Sequence, residues 1–341
     1  MKEQIQAFVK ESFVEAQNVT VNEPSQISEG WETEIYSFDV AYKMAGDRRH
    51  EELILRLFPG DGAEEQAAKE FRAMSVLHQA GYPVPLVLYQ GGADSQFGKP
   101  YIVMERVVGK TLWSFMFRSE TDHKEALLEQ FCGLFVQLHA FDWWTVAGEI
   151  FLTAGDDPYH FVDRWLKRAE DYSLRFGLSS FNANIEWLQA RRDKVPCNRP
   201  ALVHQDFHPN NILMREDGSA VVIDWSGFEI ADFRYDLAWT MLLVGSYEDR
   251  VWRDRILKIY ERLSGRPVEQ TMFFDVAACL SRLANIVVAL RGSAGELGMN
   301  PDAVALISQQ MPAHKRVYDL LLERTGIPIA EVEQLFRQHV K

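Results

Sequence analysis

Apolar residues follow two different rhythms along the chain. Up to about residue 109 they mostly alternate with polar residues or form short β-branched runs, whereas from Thr111 onward they recur at helical spacing. The pattern therefore predicts a mixed α and β region with about five strands, followed by a mainly helical region. The predicted strand segments are 20–21, 26–40, 51–58, 83–89 and 100–109, and the predicted helices are 2–16, 63–80, 127–139, 161–176, 184–195, 239–245, 247–264, 269–291, 301–325 and 330–340.

The stretch from Leu202 to Trp225 interrupts the helical region. It reads Leu-Val-His-Gln-Asp-Phe-His-Pro-Asn-Asn-Ile-Leu-Met, then a turn signal from Glu216 to Ser219, then Ala-Val-Val-Ile-Asp-Trp. An apolar pair leads into polar residues, and a β-branched strand after the turn ends in the carboxylate of Asp224. The pattern indicates a loop followed by a hairpin that presents polar side chains.

The polar residues of this stretch suit phosphoryl transfer. That reaction needs one carboxylate to orient an acceptor hydroxyl and separate oxygen ligands for the metal that bridges the nucleotide phosphates. Asp206 can do the first, and Asn211 with Asp224 can do the second, because Mg²⁺ prefers hard oxygen ligands. Taken singly, each of these residues is also a common turn former, so the prediction depends on the whole set.

The motif His204-x-Asp206 with Asn211 five residues later, and an Asp closing the next strand, resembles the catalytic loop and metal-binding Asp of the protein-kinase-like superfamily. The residues of the motif, with Ile-Asp-Trp where protein kinases have Asp-Phe-Gly, look more like those of the aminoglycoside phosphotransferase and choline kinase-like family. The resemblance implies an α+β, protein-kinase-like two-lobed fold. It implies a nucleotide-binding lobe at residues 1–107 and a helical lobe with catalytic loop and acceptor site at 108–341.

Carried over residue by residue, the resemblance implies roles for the loop. Asp206 resembles the catalytic base, and Asn211 and Asp224 resemble the metal ligands. His204 resembles the histidine that supports the loop. His208 occupies the place of a kinase Lys that faces the transferred phosphoryl group. Asp236 matches an Asp that steadies the loop, although an Asp at that position can also cap a helix.

Arg56 stands in the middle of an otherwise apolar strand, where an unpaired charge is costly. Glu70 lies on the inward face of the following predicted helix, which makes it the expected partner. The resemblance places these two residues where relatives have a phosphate-binding Lys and its Glu. A guanidinium can also clamp phosphate oxygens, but a purely structural ion pair is the alternative.

The remaining nucleotide contacts rest on the resemblance alone. It places the loop that covers the nucleotide at Ser28 and Gly30. It places a hinge at 104–107, where backbone groups of Glu105 and Val107 would read the purine edge. Such backbone contacts leave little side-chain signature, so ATP is expected and GTP is not excluded.

Composition limits the remaining classes. The chain has 341 residues, 47% hydrophobic and 25% charged, and a net charge of −13, which is the make-up of a globular protein without a nucleic-acid footprint. Three separated cysteines indicate free thiols in a reducing compartment. The sequence contains no run of about 18 apolar residues, the length that a membrane span needs, so a cytoplasmic protein is expected. The oligomeric state has no signature.

The sequence therefore predicts Mg²⁺-assisted, ATP-dependent O-phosphorylation of a small hydroxyl acceptor. The negative net charge of the protein is compatible with a cationic acceptor. The resemblance implies acceptors such as aminoglycosides, macrolides, amino-alcohols and sugars. Two alternatives stay open: a catalytically silent, nucleotide-binding regulator, and a metallohydrolase that binds zinc through His204, Asp206 and His208. Zinc sites favour His and Cys donors, and the nine histidines form no second cluster, which weakens the hydrolase alternative.

Overall fold

The computed structural model describes residues 1–29, 33–118, 123–144, 157–297 and 301–339. The chain divides into two compact units. The N-unit comprises Met1–Thr111 together with Ile212–Phe228, and the C-unit comprises Leu112–Asn211 together with Glu229–Lys341. The assignment of nucleotide binding to residues 1–107 and of acceptor binding to 108–341 stays a prediction.

The N-unit is built on an antiparallel sheet of six strands in the described part of the chain. It has one strand more than the sequence predicts, because the predicted segment 26–40 contains parts of two strands that pair with each other. The order is β1-β3-β4-β6-β5, with β2 attached to β3. The strands are β1 Gln17–Val21, β2 Ser25–Glu29, β3 Glu34–Met44, β4 Asp47–Leu57, β5 Val87–Gly91 and β6 Tyr101–Glu105.

Two helices accompany this sheet, α1 Lys2–Ser12 and α2 Ala63–Gln79. The inward stripe of α1, Ile5, Phe8 and Val9, is almost fully buried and packs with strand residues such as Phe38 and Leu53 in one apolar cluster. Helix α2 buries its predicted stripe together with Glu70. The amphipathic patterns at 2–16 and 63–80 therefore mark helices that cover the sheet.

A second, three-stranded sheet in the N-unit holds the predicted hairpin. Strands β9 Ile212–Met214 and β10 Ala220–Val222 pair antiparallel, and β7 Lys110–Thr111 adds to β9. A Cβ at Gly109 would lie 2.4 Å from the Met214 carbonyl oxygen, so only glycine allows this close approach. The Val222 N–H donates to the Pro83 carbonyl at 2.8 Å, which fixes the end of the hairpin just before Asp224.

The C-unit is mainly helical, with one two-stranded ribbon in which β11 pairs with β8. This ribbon carries the polar loop of the sequence motif, because β8 ends one residue before His204. Its elements are α3 Leu112–Phe117, α4 Lys124–Ala140, α5 His160–Phe176, α6 Asn182–Gln189, β8 Ala201–Val203, β11 Glu229–Ala231, α7 Phe233–Tyr247, α8 Arg250–Ser264, α9 Thr271–Val288, α10 Pro301–Gln309, α11 Met311–Thr325 and α12 Ala330–His339.

Helix α9 is the central helix of the C-unit, with Phe274, Val276, Leu283 and Val287 nearly inaccessible to solvent. The helical stretch Thr271–Leu297, which is kinked at Gly292, is the one segment in the described residues that is long and apolar enough to cross a membrane. Its most apolar window is 78% buried within the protein, which is the arrangement of a core helix.

Several helices end at other residues than predicted; helix α1 stops at Ser12 and α6 at Gln189, and two further differences have a local cause. Helix α7 begins at Phe233 rather than at 239, because the Asp232 side chain caps it by accepting the Arg234 N–H at 3.0 Å. The predicted helix 301–325 is two helices that break at Gln310. Pro312 lies in the first turn of the second helix, where its missing N–H costs no hydrogen bond.

Candidate active site

Arg56 and Glu70 form a buried ion pair in the N-unit. Arg56 lies on β4 between Ile35 of β3 and Ile102 of β6, and its Nη1 donates to Glu70 Oε1 at 2.5 Å. The Arg56 side chain is 10% exposed and that of Glu70 is fully buried. The sequence prediction that the strand Arg needs the helix Glu as its partner is confirmed by this contact.

The other branch of the Arg56 guanidinium, Nη2, points toward the hairpin exit. It lies 3.6 Å from Asp224 Oδ1 and 3.4 Å from the Thr33 hydroxyl. The Arg56 Nε is buried and has no hydrogen-bond partner among the described residues. The guanidinium thus joins the helix carboxylate to the predicted metal ligand and keeps donor capacity for a further anion.

Asp224 is turned toward solvent by its backbone. It adopts φ 64° and ψ 67°, the left-handed region that Asp tolerates better than most residues. The next residue, Trp225, is fully buried and donates its indole N–H to the Val222 carbonyl at 2.9 Å. Because Trp225 anchors the turn, the Asp224 carboxylate stays 43% exposed while accepting a hydrogen bond from Ser226.

The predicted hinge follows β6. The Glu105 side chain accepts hydrogen bonds from the Leu86 N–H at 3.3 Å and from Arg215 Nη2 at 3.1 Å. The Glu105 backbone N–H donates to the Leu86 carbonyl at 2.9 Å, so this donor is already used. The Val107 N–H donates to no backbone carbonyl within the described residues. Of the two backbone N–H groups at the predicted purine contacts, that of Val107 is the one left available in the described part of the chain.

The Asp206 carboxylate is the centre of a polar cluster in the C-unit. Its Oδ1 accepts the Trp239 indole N–H at 2.8 Å, and its Oδ2 lies 3.2 Å from Asn211 Nδ2 and 3.3 Å from His208 Nε2. Burial acts to raise the pKa of Asp206, but the hydrogen bonds from His208 and Trp239 outweigh it and hold this pKa well below its usual range. The carboxylate is therefore ionised and can accept a hydrogen bond from a hydroxyl group.

His208 and Asn211 each have a defined orientation. His208 Nδ1 accepts the Asn210 N–H at 3.2 Å, so in the neutral ring the proton is on Nε2 and faces Asp206. Asn211 Nδ2 also donates to the Asp206 backbone carbonyl at 3.0 Å, which leaves the Asn211 amide oxygen free to serve as a ligand. In this structure His208 thus contacts the base, and its predicted contact with the phosphoryl group stays a prediction.

Helix α7 holds the loop through one face. Asp236 accepts the His204 N–H at 2.7 Å and the Gln205 N–H at 3.0 Å, and the Thr240 hydroxyl donates to the Phe207 carbonyl. Together with Trp239, these contacts engage four consecutive loop residues from helix positions spaced by three and four. Asp236 lies in the first turn and caps nothing, since Asp232 is the cap. The capping alternative for Asp236 is therefore wrong.

Further packing supports the same loop. The His204 side chain is fully buried beside Phe207. His139, at the end of α4, places Nδ1 at 2.8 Å from the Tyr260 hydroxyl and Nε2 at 3.4 Å from Asp236 Oδ2. These contacts belong to the packed interior of the C-unit.

Gln205 links the loop to β11 and α5. It adopts φ 70°, an uncommon conformation for a residue other than glycine. Its side-chain amide donates to Glu229 Oε1 at 2.7 Å, and Glu229 Oε2 accepts from Arg164 Nη2 at 3.0 Å. Sequence reasoning missed Glu229, Trp239 and Thr240. For the last two, the spacing of 236, 239 and 240 on one helix face was the available signal.

The predicted nucleotide contacts Ser28 and Gly30 lie where the description of the structure breaks off. Gly30 lies outside the described residues, and so does the side chain of Ser28, whose backbone pairs with Ile35. Across the described ranges, no three His, Cys, Asp or Glu side chains are placed to share a metal ion. His204, Asp206 and His208 therefore do not form the zinc cluster that the metallohydrolase alternative requires, and His204 packs in the interior.

A match to a protein-family model shows the family of the chain. The sequence model of the Phosphotransferase enzyme family, APH, matches residues 25–274, well over half of the chain. The chain belongs to this family. The match includes Arg56, Asp206 and Asp224, and it confirms the predicted family and the α+β, protein-kinase-like fold.

Solved structures show the same fold. A Ralstonia eutropha protein assigned as an aminoglycoside phosphotransferase is 16% identical with a TM-score of 0.67, and the match covers 95% of this chain and 98% of that one. Aminoglycoside phosphotransferase APH(4)-Ia is 20% identical with a TM-score of 0.59, covering 93% and 98%. Macrolide 2'-phosphotransferase type I is 16% identical with a TM-score of 0.62, covering 91% and 96%. At these identities the likeness shows the fold alone.

Curated relatives match over part of their length. Acyl-CoA dehydrogenase family member 10 of Mus musculus is 28% identical over 199 residues, which is 56% of this chain and 18% of that protein. Acyl-CoA dehydrogenase family member 11 of Gallus gallus is 25% identical over 173 residues, 49% of this chain and 22% of that protein. The chain spans about a fifth of the length of these relatives.

Proposed function

We propose that this phosphotransferase moves the γ-phosphoryl group of ATP, with Mg²⁺, to a hydroxyl group of a small molecule. The observation that carries the proposal is the Asp206 carboxylate, ionised and held by Trp239, His208 and Asn211 in a member of a phosphotransferase family. A fixed, ionised carboxylate is what orients an acceptor hydroxyl in phosphoryl transfer.

The proposed transfer exchanges one phosphorus–oxygen bond for another. The acceptor oxygen forms a bond to the γ-phosphorus while the bond from that phosphorus to the bridging oxygen of the leaving ADP breaks. The hydroxyl proton passes to the Asp206 carboxylate. Arg56, fixed by Glu70, would bind phosphate oxygens with the donors it has left, and the Val107 N–H would bind the purine edge.

The residues proposed for Mg²⁺ suit this ion. The Asn211 amide turns its nitrogen to Asp206, which leaves the oxygen, and Asp224 presents a half-exposed carboxylate. Both are hard oxygen ligands of the kind that Mg²⁺ prefers. When bound, Mg²⁺ would neutralise charge on the β- and γ-phosphate oxygens.

The acidic side chains of α5 bear on the charge of the acceptor. On α5 the acidic side chains already have partners: Asp163 pairs with Arg192, Asp171 with Lys167, and Glu170 accepts from Gln189. A wall of free carboxylates for a polycation is therefore not found among the described residues of α5. The neighbouring structures include a complex of APH(4)-Ia with ADP and hygromycin B and a GDP and kanamycin complex of another aminoglycoside phosphotransferase.

The test is a transfer assay with labelled ATP or GTP, Mg²⁺ and a pool of hydroxyl acceptors. The pool should hold an aminoglycoside, a macrolide, an amino-alcohol, a sugar and, because of the names of the curated relatives, a hydroxyacyl thioester. We expect acceptor-dependent transfer that falls at least about a hundred-fold in Asp206→Asn. Asp171→Asn, which changes an exposed carboxylate on α5, is the matched control and should retain full activity.

Two results would decide against the proposal. Transfer that persists undiminished in Asp206→Asn would remove this carboxylate from the mechanism. Tight nucleotide binding without transfer to any acceptor, in a protein whose fold is intact, would favour the silent regulator instead.

A further inference from the structure

Trp239 donates a hydrogen bond to the Asp206 carboxylate. No sequence motif marks this tryptophan. Its indole Nε1 lies 2.8 Å from Asp206 Oδ1. The other oxygen, Oδ2, is approached by His208 and Asn211. Each carboxylate oxygen therefore has its own set of donors, and Trp239 alone serves Oδ1 among the described residues.

The chemistry of an indole makes this contact one-directional. The indole N–H donates and cannot accept, and it does not titrate in the physiological range. His208 has ring nitrogens that can donate or accept, and Asn211 has a proposed second role as a metal ligand. Among the described neighbours of Asp206, Trp239 thus makes the contact that can only donate and has no second proposed role.

The position of Trp239 is fixed by its surroundings. Its ring is partly buried against the apolar core of the C-unit. On the same helix face, Asp236 binds the backbone N–H groups of His204 and Gln205, and Thr240 binds the Phe207 carbonyl. These hydrogen bonds attach helix α7 to the loop. They therefore fix the position of the indole N–H relative to Asp206.

We propose that Trp239 is a positioning residue for phosphoryl transfer, whose N–H sets the plane of the Asp206 carboxylate and thereby the direction from which it accepts the acceptor proton. The inference rests on the proposed function, in which Asp206 is the base. Trp239 acts through Asp206 and needs no contact with the nucleotide. Its loss should therefore appear in kcat and leave the KM for nucleotide unchanged.

The first test compares Trp239→Phe with Trp187→Phe. The substitution Trp239→Phe keeps most of the aromatic packing and removes the hydrogen-bond donor. Trp187, on α6, stacks under Arg191 at 3.8 Å and lies outside the loop contacts, so it is a matched control. Since a displacement of a catalytic group by about 1 Å can cost about a hundred-fold, we expect kcat to fall about 10- to 100-fold in Trp239→Phe and not in the control.

The second test does not depend on activity. In a ¹⁵N-labelled wild-type protein, the indole resonance that disappears in Trp239→Phe identifies Trp239. A hydrogen bond to a carboxylate should place its proton downfield, and Asp206→Asn should shift it upfield because a charge-assisted bond becomes a neutral one. The other indole resonances should keep their positions. An unshifted Trp239 resonance would contradict the contact itself, whatever the activity of Trp239→Phe.

The double variant separates positioning from general destabilisation. If Trp239 acts only through Asp206, adding Trp239→Phe to Asp206→Asn should cause no further loss of kcat, whereas a structural effect would add to it. If Asp206→Asn keeps wild-type transfer, the proposed function fails. If Asp206→Asn is inactive and Trp239→Phe equals Trp187→Phe, the proposed function stands and this inference fails.

Discussion

Arg56 shows how a single buried charge constrains the residues around it. An ion pair taken out of water gains little net stability, because desolvation offsets the attraction between the charges. Removing one partner is different, since it leaves the other charge buried and uncompensated. The fully buried Glu70 therefore matters to the fold of the N-unit whatever part Arg56 has in phosphate binding.

Replacing Glu70 tests this at the residue scale. Glu70→Gln should lower the free energy of unfolding by about 3 kcal/mol, because it removes the buried negative charge that compensates Arg56 and leaves at best a neutral hydrogen bond in its place. The combined replacement Arg56→Met with Glu70→Met should recover most of that loss, since it removes both charges. Urea unfolding measures all three proteins. A double variant less stable than Glu70→Gln would contradict this account.

For helices and strands, the sequence predicts the features that depend on the local pattern of apolar and charged residues. The stripes of α1 and α2 and the Arg56–Glu70 pair follow from helical spacing and from the cost of a lone buried charge. The start of α7 was missed because a capping Asp232 can recruit residues that lack an apolar stripe. The contacts of Trp239 and Glu229 join residues far apart in the chain, and no local pattern encodes them.

The break between α10 and α11 carries a pH-sensitive contact. His314, in the first turn of α11, is buried, and its Nε2 donates to the Ile307 carbonyl of α10 at 3.0 Å. Its Nδ1 has no partner in the described part of the chain. Burial first, and then the nearby Arg282, lower the pKa of His314 from 6.5 to about 4, against a smaller opposing effect of the Ile307 bond.

The sign of the resulting pH dependence follows. The unfolded chain binds a proton near pH 6.5 and the folded protein only near pH 4, so the stability due to neutral His314 is complete above about 6.5 and is lost as the pH falls toward 4. The loss should reach about 2 to 3 kcal/mol. We expect His314→Gln, which keeps a donor for Ile307, to show a shallower decline over this interval in urea unfolding. Parallel curves for the two proteins would refute the assignment.

At the scale of the whole molecule, fold and specificity depend on different numbers of residues. The fold extends over 95% of the chain to a structure with 16% identity, because apolar positions in a core accept many side chains if pattern and volume are kept. Acceptor choice depends on a few polar contacts. Family membership therefore leaves the acceptor open, and charge is the whole-molecule property that still bears on it.

The net charge of −13 produces a long-range field that attracts cations, whereas the carboxylates of α5 are already engaged with Arg192, Lys167 and Gln189. Attraction of a cationic acceptor should then be mostly long-range, and salt screens such forces beyond a Debye length of about 10 Å at 0.1 M. From about 20 mM to about 500 mM NaCl, we expect kcat/KM for a cationic acceptor to fall about ten-fold or more. A neutral acceptor with the same hydroxyl group is the control and should change less than about two-fold. Salt-resistant turnover of the cation would instead require a carboxylate in direct, shielded contact with its amine, and would refute steering by the overall charge.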